Sequence, residues 1–259
     1  MDDISLTTAV MLCAAALLAG WIDGVVGGGG LLLLPALLIG FPHLPPTYAL
    51  GTNKAVAIAG TTMAAVTYAR RVPIDRGFAL RMGGAALLSA AAGASFATAV
   101  NNDILQPLIM VILLAVAAFV TLRPDFGRAP SGRPVTRRRV AAALLVAGIG
   151  VGFYDGLIGP GTGTFLVIAF VAMLHMDMVS GTAAAKVVNV GTNLGAIAVF
   201  AAHGTVLWTL APLLALFNIA GGWFGAHMAL KKGSGFVRIV LLVVVVVLVG
   251  KLGYERWVS

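Results

Sequence analysis

Asp23, Lys54, Asp155 and Lys186 each stand inside a long apolar segment, where charge is most costly. A charged side chain in hydrocarbon costs a few kcal/mol or more, so such residues normally face a cavity, a partner or a substrate path. Each acid is followed by a glycine cluster: "WIDGVVGGGGLLLLP" spans 21–35 and "FYDGLIGPGTG" spans 153–163. A helix broken within a membrane exposes N–H and C=O groups, tolerated only inside protein or beside a wet cavity. The helix that starts after the break turns its free N–H groups and positive dipole end into that cavity, which suits an anion. Gly27, Gly28, Gly29 and Gly30 are therefore candidate anion-binding residues, with Gly159, Gly161 and Thr162 their counterparts. Pro160 suits a break because it cannot donate to a helical ladder. Close helix packing through small residues is the plainer reading of the glycines.

The lysines bring further donors. Asn53 adjoins Lys54 in "GTNK", and Thr61 follows one heptad later. In "KVVNVGTN", Lys186, Asn189 and Asn193 share one helical face. Two ammonium groups, amides and half-helix N-termini make a cationic site whose natural guest is a small oxyanion. The alternative for either lysine is a stem that snorkels to the interface. Asp23 and Asp155 have two open roles. They load and release a coupling proton, or they are structural, each pairing with the lysine of its own half or capping a half-helix.

The elements that hold these residues are membrane helices. Sixty percent of the 259 residues are hydrophobic, 10% are charged, and mean hydropathy is +1.02. Segments near 20 apolar residues follow one another, and unalternating runs such as 239–249 argue for helices over a barrel. An all-α polytopic membrane protein is expected. Apolar segments cover about 5–41, 48–69, 77–99 and 103–122, then about 140–175, 180–202, 205–228 and 235–254. A shift of 132 residues lays Asp23 on Asp155, Gly27 on Gly159, His43 on His175 and Lys54 on Lys186. The pattern predicts a duplication: a first repeat over 1–122, a basic cytoplasmic linker over 123–139 and a second repeat over 140–259. Such repeats are a signature of secondary transporters. The first segment of each set is too long for one helix. As single broken spans they give eight spans in parallel halves. As helix pairs they give ten segments in inverted halves, which we favour because Lys231 and Lys232 then join the cytoplasmic side.

Other classes fit poorly. The net charge of +8 sits in "RRVPIDR" (70–76) and in 123–139, the positive-inside pattern, so no nucleic-acid partner is expected. The acidic "MDDISL" start argues against a cleavable signal. One cysteine, Cys13, and scattered histidines predict no metal or other cofactor. His43 and His175 read as interfacial, and Trp208 and Trp257 as aromatic-belt anchors. Gly-x-Ser-x-Gly and His-Glu-x-x-His are both missing, which disfavours an intramembrane enzyme. An anion channel is the stronger alternative to a carrier.

At the Asp-Gly-x-x-Gly-Gly-Gly-Gly break and the "GTNK" helix, the chain resembles the sulfite exporter TauE/SafE family, also called the 4-toluene sulfonate uptake permeases. The resemblance runs from about Thr8 to Gly253. It implies a multi-pass bacterial inner-membrane transporter of sulfur-containing anions such as sulfite, sulfonates or sulfoacetate, driven by an ion gradient, expected to be of protons. The second repeat departs from the family pattern, with "GPGTG" for the glycine run and Ala185 at the Asn53 position.

Overall fold

The computed structural model describes residues 6–101, 103–105 and 135–258. Most of the segment expected at 103–122 and of the linker at 123–139 lies outside the described residues.

All regular elements among the described residues are helices: α1 (Leu6–Val26), α2 (Gly30–Gly40), α3 (Pro46–Ala69) and α4 (Arg76–Ala99), then α5 (Arg137–Leu157), α6 (Thr162–Leu174), α7 (Met178–Ala202) and α8 (Ala211–Val258). Residues Leu144–Val151 of α5 are wound as a π-helix, and α8 kinks at Gly233 (φ 74°). Among the described residues, five helices are long and apolar enough to cross a membrane: α1, α4, α5, α7 and the first arm of α8. Large apolar side chains face outward along the helices, while the four charges set within apolar segments face inward. Leu80, Leu88, Leu216 and Phe224 are exposed, whereas both aspartates and both lysines are buried. That inversion is expected where the surrounding solvent is lipid.

Each long apolar segment is a helix pair. After the break at Gly27–Gly29, α2 returns along α1, so that Gly40 lies beside Thr8 and Leu12. After the second break α6 returns along α5, and the Arg139 guanidinium reaches the Met173 carbonyl and the His175 ring. Both hairpins thus have a long arm and a short arm meeting at a glycine tip. α5 begins at Arg137, inside the expected linker, because the Thr136 hydroxyl accepts from the Arg139 amide and caps the helix. The last two expected segments form the single kinked α8, which starts at Ala211, after a turn region, rather than at 205.

Helix directions follow from close contacts at small residues. Gly20 and Gly24 of α1 meet Asn218 and Gly222 of α8, and Gly60 of α3 meets the same stretch, so α1 and α8 run in parallel. Ser89 and Gly93 of α4 meet Gly148 and Phe153 of α5, and Gly83 meets Gly191 of α7, so α4, α5 and α7 also run in parallel. The start of α3 meets the end of α7, with Gly51 against Phe200, and the Leu207 amide just beyond α7 donates to Thr52 Oγ1. α3 and α7 are therefore antiparallel, and each helix runs opposite to its counterpart 132 residues on. The helix starts keep this offset at Gly30 and Thr162, and at Pro46 and Met178. The fourth helices are exchanged, since α4 packs on α5 and α7 while α8 packs on α1 and α3. Arg70, Arg71, Arg137–Arg139 and the Lys231–Lys232 pair all fall at one end of the bundle.

Two further helix starts carry aspartate caps that the charge pattern alone does not suggest. Asp75 accepts from the amides of Gly77 and Phe78, and Asp177 from those of Val179 and Ser180. Partial burial pushes the Asp177 carboxyl up, but the Ser180 hydroxyl and the two amides outweigh it and hold it below the usual aspartate value. A group depressed in the folded state stabilises above its unfolded pKa and loses that contribution as pH falls. Asp177→Ala should therefore cost about 1 kcal/mol near neutral pH, with the difference fading below about pH 4. Thermal unfolding in detergent at the two pH values checks this.

Candidate functional site

The two glycine tips touch. Gly27 (φ 85°) lies backbone to backbone against Gly163, and the Thr164 amide donates to the Gly27 carbonyl at 3.1 Å. The tips are joined where α2 and α6 begin, so both N-terminal dipole ends converge on one region. Gly159 (φ 91°) matches Gly27 at the repeat offset. A Cβ on Gly159 would lie 2.6 Å from Lys54 Nζ, so this position stays bare to admit the lysine. Gly29 and Gly161 differ: the first is right-handed (φ −57°) and the second left-handed (φ 83°).

A cavity of about 30 Å³ lies at the tips. That is enough for at least one water molecule, since about 10–15 Å³ of such space holds one. Gly27, Gly29, Gly30, Asn53, Lys54, Gly159, Gly161, Thr162, Asn189 and Asn193 line it, together with Asp23 and Asp155. Two expected site residues are placed elsewhere. Gly28 faces the side chains of Ile22, Leu31 and Thr164. Lys186 is wholly buried behind Asp23. Thr61 and Asn218 complete the polar wall, with Asn218 Nδ2 donating to the Ala16 carbonyl. The residue 132 positions before Asn218 is Ala86, so the sequence offset passes over it. His43 is exposed, and His175 contacts Arg139 away from the cavity. Trp208 is exposed beside α8, and Trp257's side chain is not among those described.

The four charges form two ion pairs, and both cross between the sets. Lys54 Nζ lies 2.7 Å from Asp155 Oδ1, and Lys186 Nζ lies 3.1 Å from Asp23 Oδ2. A structural role for the acids was expected to pair each with the lysine of its own half. The antiparallel packing of α3 and α7 instead brings each lysine to the opposite tip. Thr61 Oγ1 also donates to Asp23 Oδ2 at 2.9 Å. The Lys186–Asp23 contact is a close ion pair with poor hydrogen-bond angles, since the Lys186 ammonium has no well-aligned acceptor. With all four groups ionised the cluster is neutral. The lysines are therefore not free cations waiting for an anion, because each is already occupied by a carboxylate. Two tyrosines secure the hairpins: Tyr68 donates to the Gly24 carbonyl at 3.0 Å, and Tyr154 to the Pro160 carbonyl. No group of three or more metal-ligating side chains occurs among the described residues.

The chain matches the model of the family described as sulfite exporter TauE/SafE over residues 12–252. A Sinorhizobium protein named probable membrane transporter protein ORF9 is 36% identical over 251 residues, covering 96% of this chain and 93% of the relative. The Escherichia coli K12 probable membrane transporter protein YfcA is 31% identical, over 95% of this chain and 89% of the relative. A Haemophilus influenzae probable membrane transporter protein is 30% identical, over 98% of each. No solved structure matches the chain. A polytopic helical bundle with buried charges at two broken hairpins, matched by this family from end to end, leads to one assignment: the chain is a membrane transporter, not an enzyme, and belongs to the TauE/SafE sulfite exporter family.

Proposed function

We propose that the chain is a secondary carrier, moving a small sulfur-containing oxyanion such as sulfite, a sulfonate or sulfoacetate across the bacterial inner membrane together with protons. The observation behind this reading is the neutral cluster of two lysines and two aspartates at the touching tips. A monoanion added to that cluster leaves an uncompensated buried charge, which costs several kcal/mol. A proton taken up by one aspartate removes the imbalance and releases a lysine for the anion. The N-termini of α2 and α6 then add their dipoles to the same guest. The two sets of helices are, in this reading, inverted halves of a duplication. The Gly27 and Gly163 backbones touch beside the cavity, so the tips separate to let the anion pass. Movement of one half against the other opens the site to alternate faces.

Proteoliposomes test this with labelled sulfite and one sulfonate, with and without an imposed pH gradient. Saturable uptake that the proton gradient accelerates is expected in the wild type, falling about 100-fold or more in Lys54→Ala and Lys186→Ala. Unchanged flux in folded lysine variants would remove those residues from the site. Current that flows without proton movement would favour a channel.

A further inference from the structure

The two ion pairs are chemically unequal. Asp23 Oδ2 both accepts from the Thr61 hydroxyl and faces Lys186, and the Asp23 side chain is 12% exposed toward the cavity it lines. Asp155 is 3% exposed and meets Lys54 through Oδ1 alone, while its Oδ2 is buried with no donor. A carboxylate oxygen held out of water without a donor carries its desolvation cost uncompensated. A second acceptor on the same cavity is in the same condition: Asn53 Oδ1 is buried and unpartnered. Both residues lie on the wall of the same cavity, and Asp23, with its Thr61 donor, has no such unpartnered oxygen.

We infer that Asp155 carries the coupling proton, with Asn53 as its hydrogen-bond acceptor, while Asp23 remains the fixed counter-charge of Lys186. The inference rests on the proton-coupled reading above and locates its proton. A proton on Asp155 Oδ2 converts that oxygen into a donor, for which Asn53 Oδ1 is the unpartnered acceptor. The same step removes the negative charge opposite Lys54, whose ammonium becomes the partner of the incoming anion. The cluster passes from neutral to +1 with the proton and back to neutral with a monoanion. Transport of one proton per monoanion is therefore electroneutral. A sodium ion is a poorer occupant of the same oxygens, because Lys54 lies 2.7 Å from the carboxylate and repels it.

The surroundings of Asp155 support this division. Lys54 faces it from α3, and the next charges are the Asp23–Lys186 pair from α1 and α7. Tyr154, the neighbouring titratable group on α5, is tied to the Pro160 carbonyl. α6 has no charged residue, and α4 carries its two arginines, Arg76 and Arg81, in its first two turns. The second repeat also lacks an asparagine at the Asn53 position, where it has Ala185, so Asp23 has no equivalent acceptor there.

Infrared difference spectroscopy of the full-length protein in lipid vesicles, titrated between about pH 4 and about pH 8, reads the proton without any transported substrate. The surface acids contribute equally to all variants. The wild type should show an additional C=O band from a buried protonated carboxyl. Asp155→Asn should abolish it, and Asp23→Asn should leave it in place. Asn53→Leu should move it to higher frequency, as for a carboxyl that has lost its acceptor. Should Asp155→Asn fail to fold, the Asn53→Leu shift decides the matter. A band lost in Asp23→Asn and kept in Asp155→Asn would overturn the assignment, as would identical spectra in all variants. Loss of the band in sodium, but not in choline, would replace the proton by a metal ion. A wrong choice of transported anion would show in the flux assay and leave these spectra unchanged.

Discussion

Lys54→Met should destabilise the protein by about 3–5 kcal/mol, the largest effect of any single change at the site. The substitution keeps most of the side-chain volume and removes the charge, leaving Asp155 buried opposite an apolar chain. Removing one partner of a buried pair costs this much because the other charge is left uncompensated. Removing both partners is a different matter, since apolar replacement of a whole buried pair is often neutral. Lys54→Met/Asp155→Leu should therefore recover most of the loss, whereas Lys54→Met/Asp23→Leu should add a second loss by stranding Lys186. Thermal unfolding of the four proteins in one detergent decides between these partners. Recovery by Asp23→Leu instead would mean that the pairs form within each half.

Gly27→Ala should cost about 2–4 kcal/mol, and Gly28→Ala almost nothing. The two glycines are neighbours in one run, yet their surroundings differ. Gly27 has φ 85°, and a Cβ there would enter the backbone of Gly163 on the opposing tip. Left-handed backbone costs a non-glycine residue about 1–2 kcal/mol, and overpacking against rigid backbone adds about 1–3 kcal/mol. A Cβ on Gly28 would meet only side chains at ordinary contact distances, the nearest at 3.5 Å. The yield of monodisperse protein and its melting temperature measure the contrast. Equal losses at both positions would show that the run acts through helix breaking alone. Tolerance at both would show that the tips need not touch.

Much of the site was readable because its residues are costly where they stand. An acid, a lysine or a glycine run inside an apolar segment has no inexpensive explanation, and the shared offset of 132 marked the members of each half as counterparts. Helix breaks at Gly27–Gly29 and Ile158–Gly161 follow from residues that resist helix formation, and the structure places both breaks there. Three things could not be read from the same residues. Asn218 has an alanine at the sequence offset and lies on a helix with no other polar residue nearby, so neither the offset nor a motif pointed to it. The Asp75 and Asp177 caps carry only a local signal, an aspartate just before a helix start, and Asp75 stands inside a basic run that reads as loop. The start of α5 was hidden because the basic run Arg137–Arg139 resembles loop composition, although Thr136 caps it into the helix.

The sequence by itself determined the class, the helices, the two breaks and the identity of the four charges, because all of these depend on the transfer cost of single residues and on local backbone preference. Only the tertiary structure decided which acid meets which lysine. An offset in sequence relates equivalent positions but carries no direction in space, and the pairing follows from direction. With α3 and α7 antiparallel, each lysine arrives at the opposite tip, where the two bare glycine backbones let the chains approach closely enough to bury both ion pairs around one small cavity.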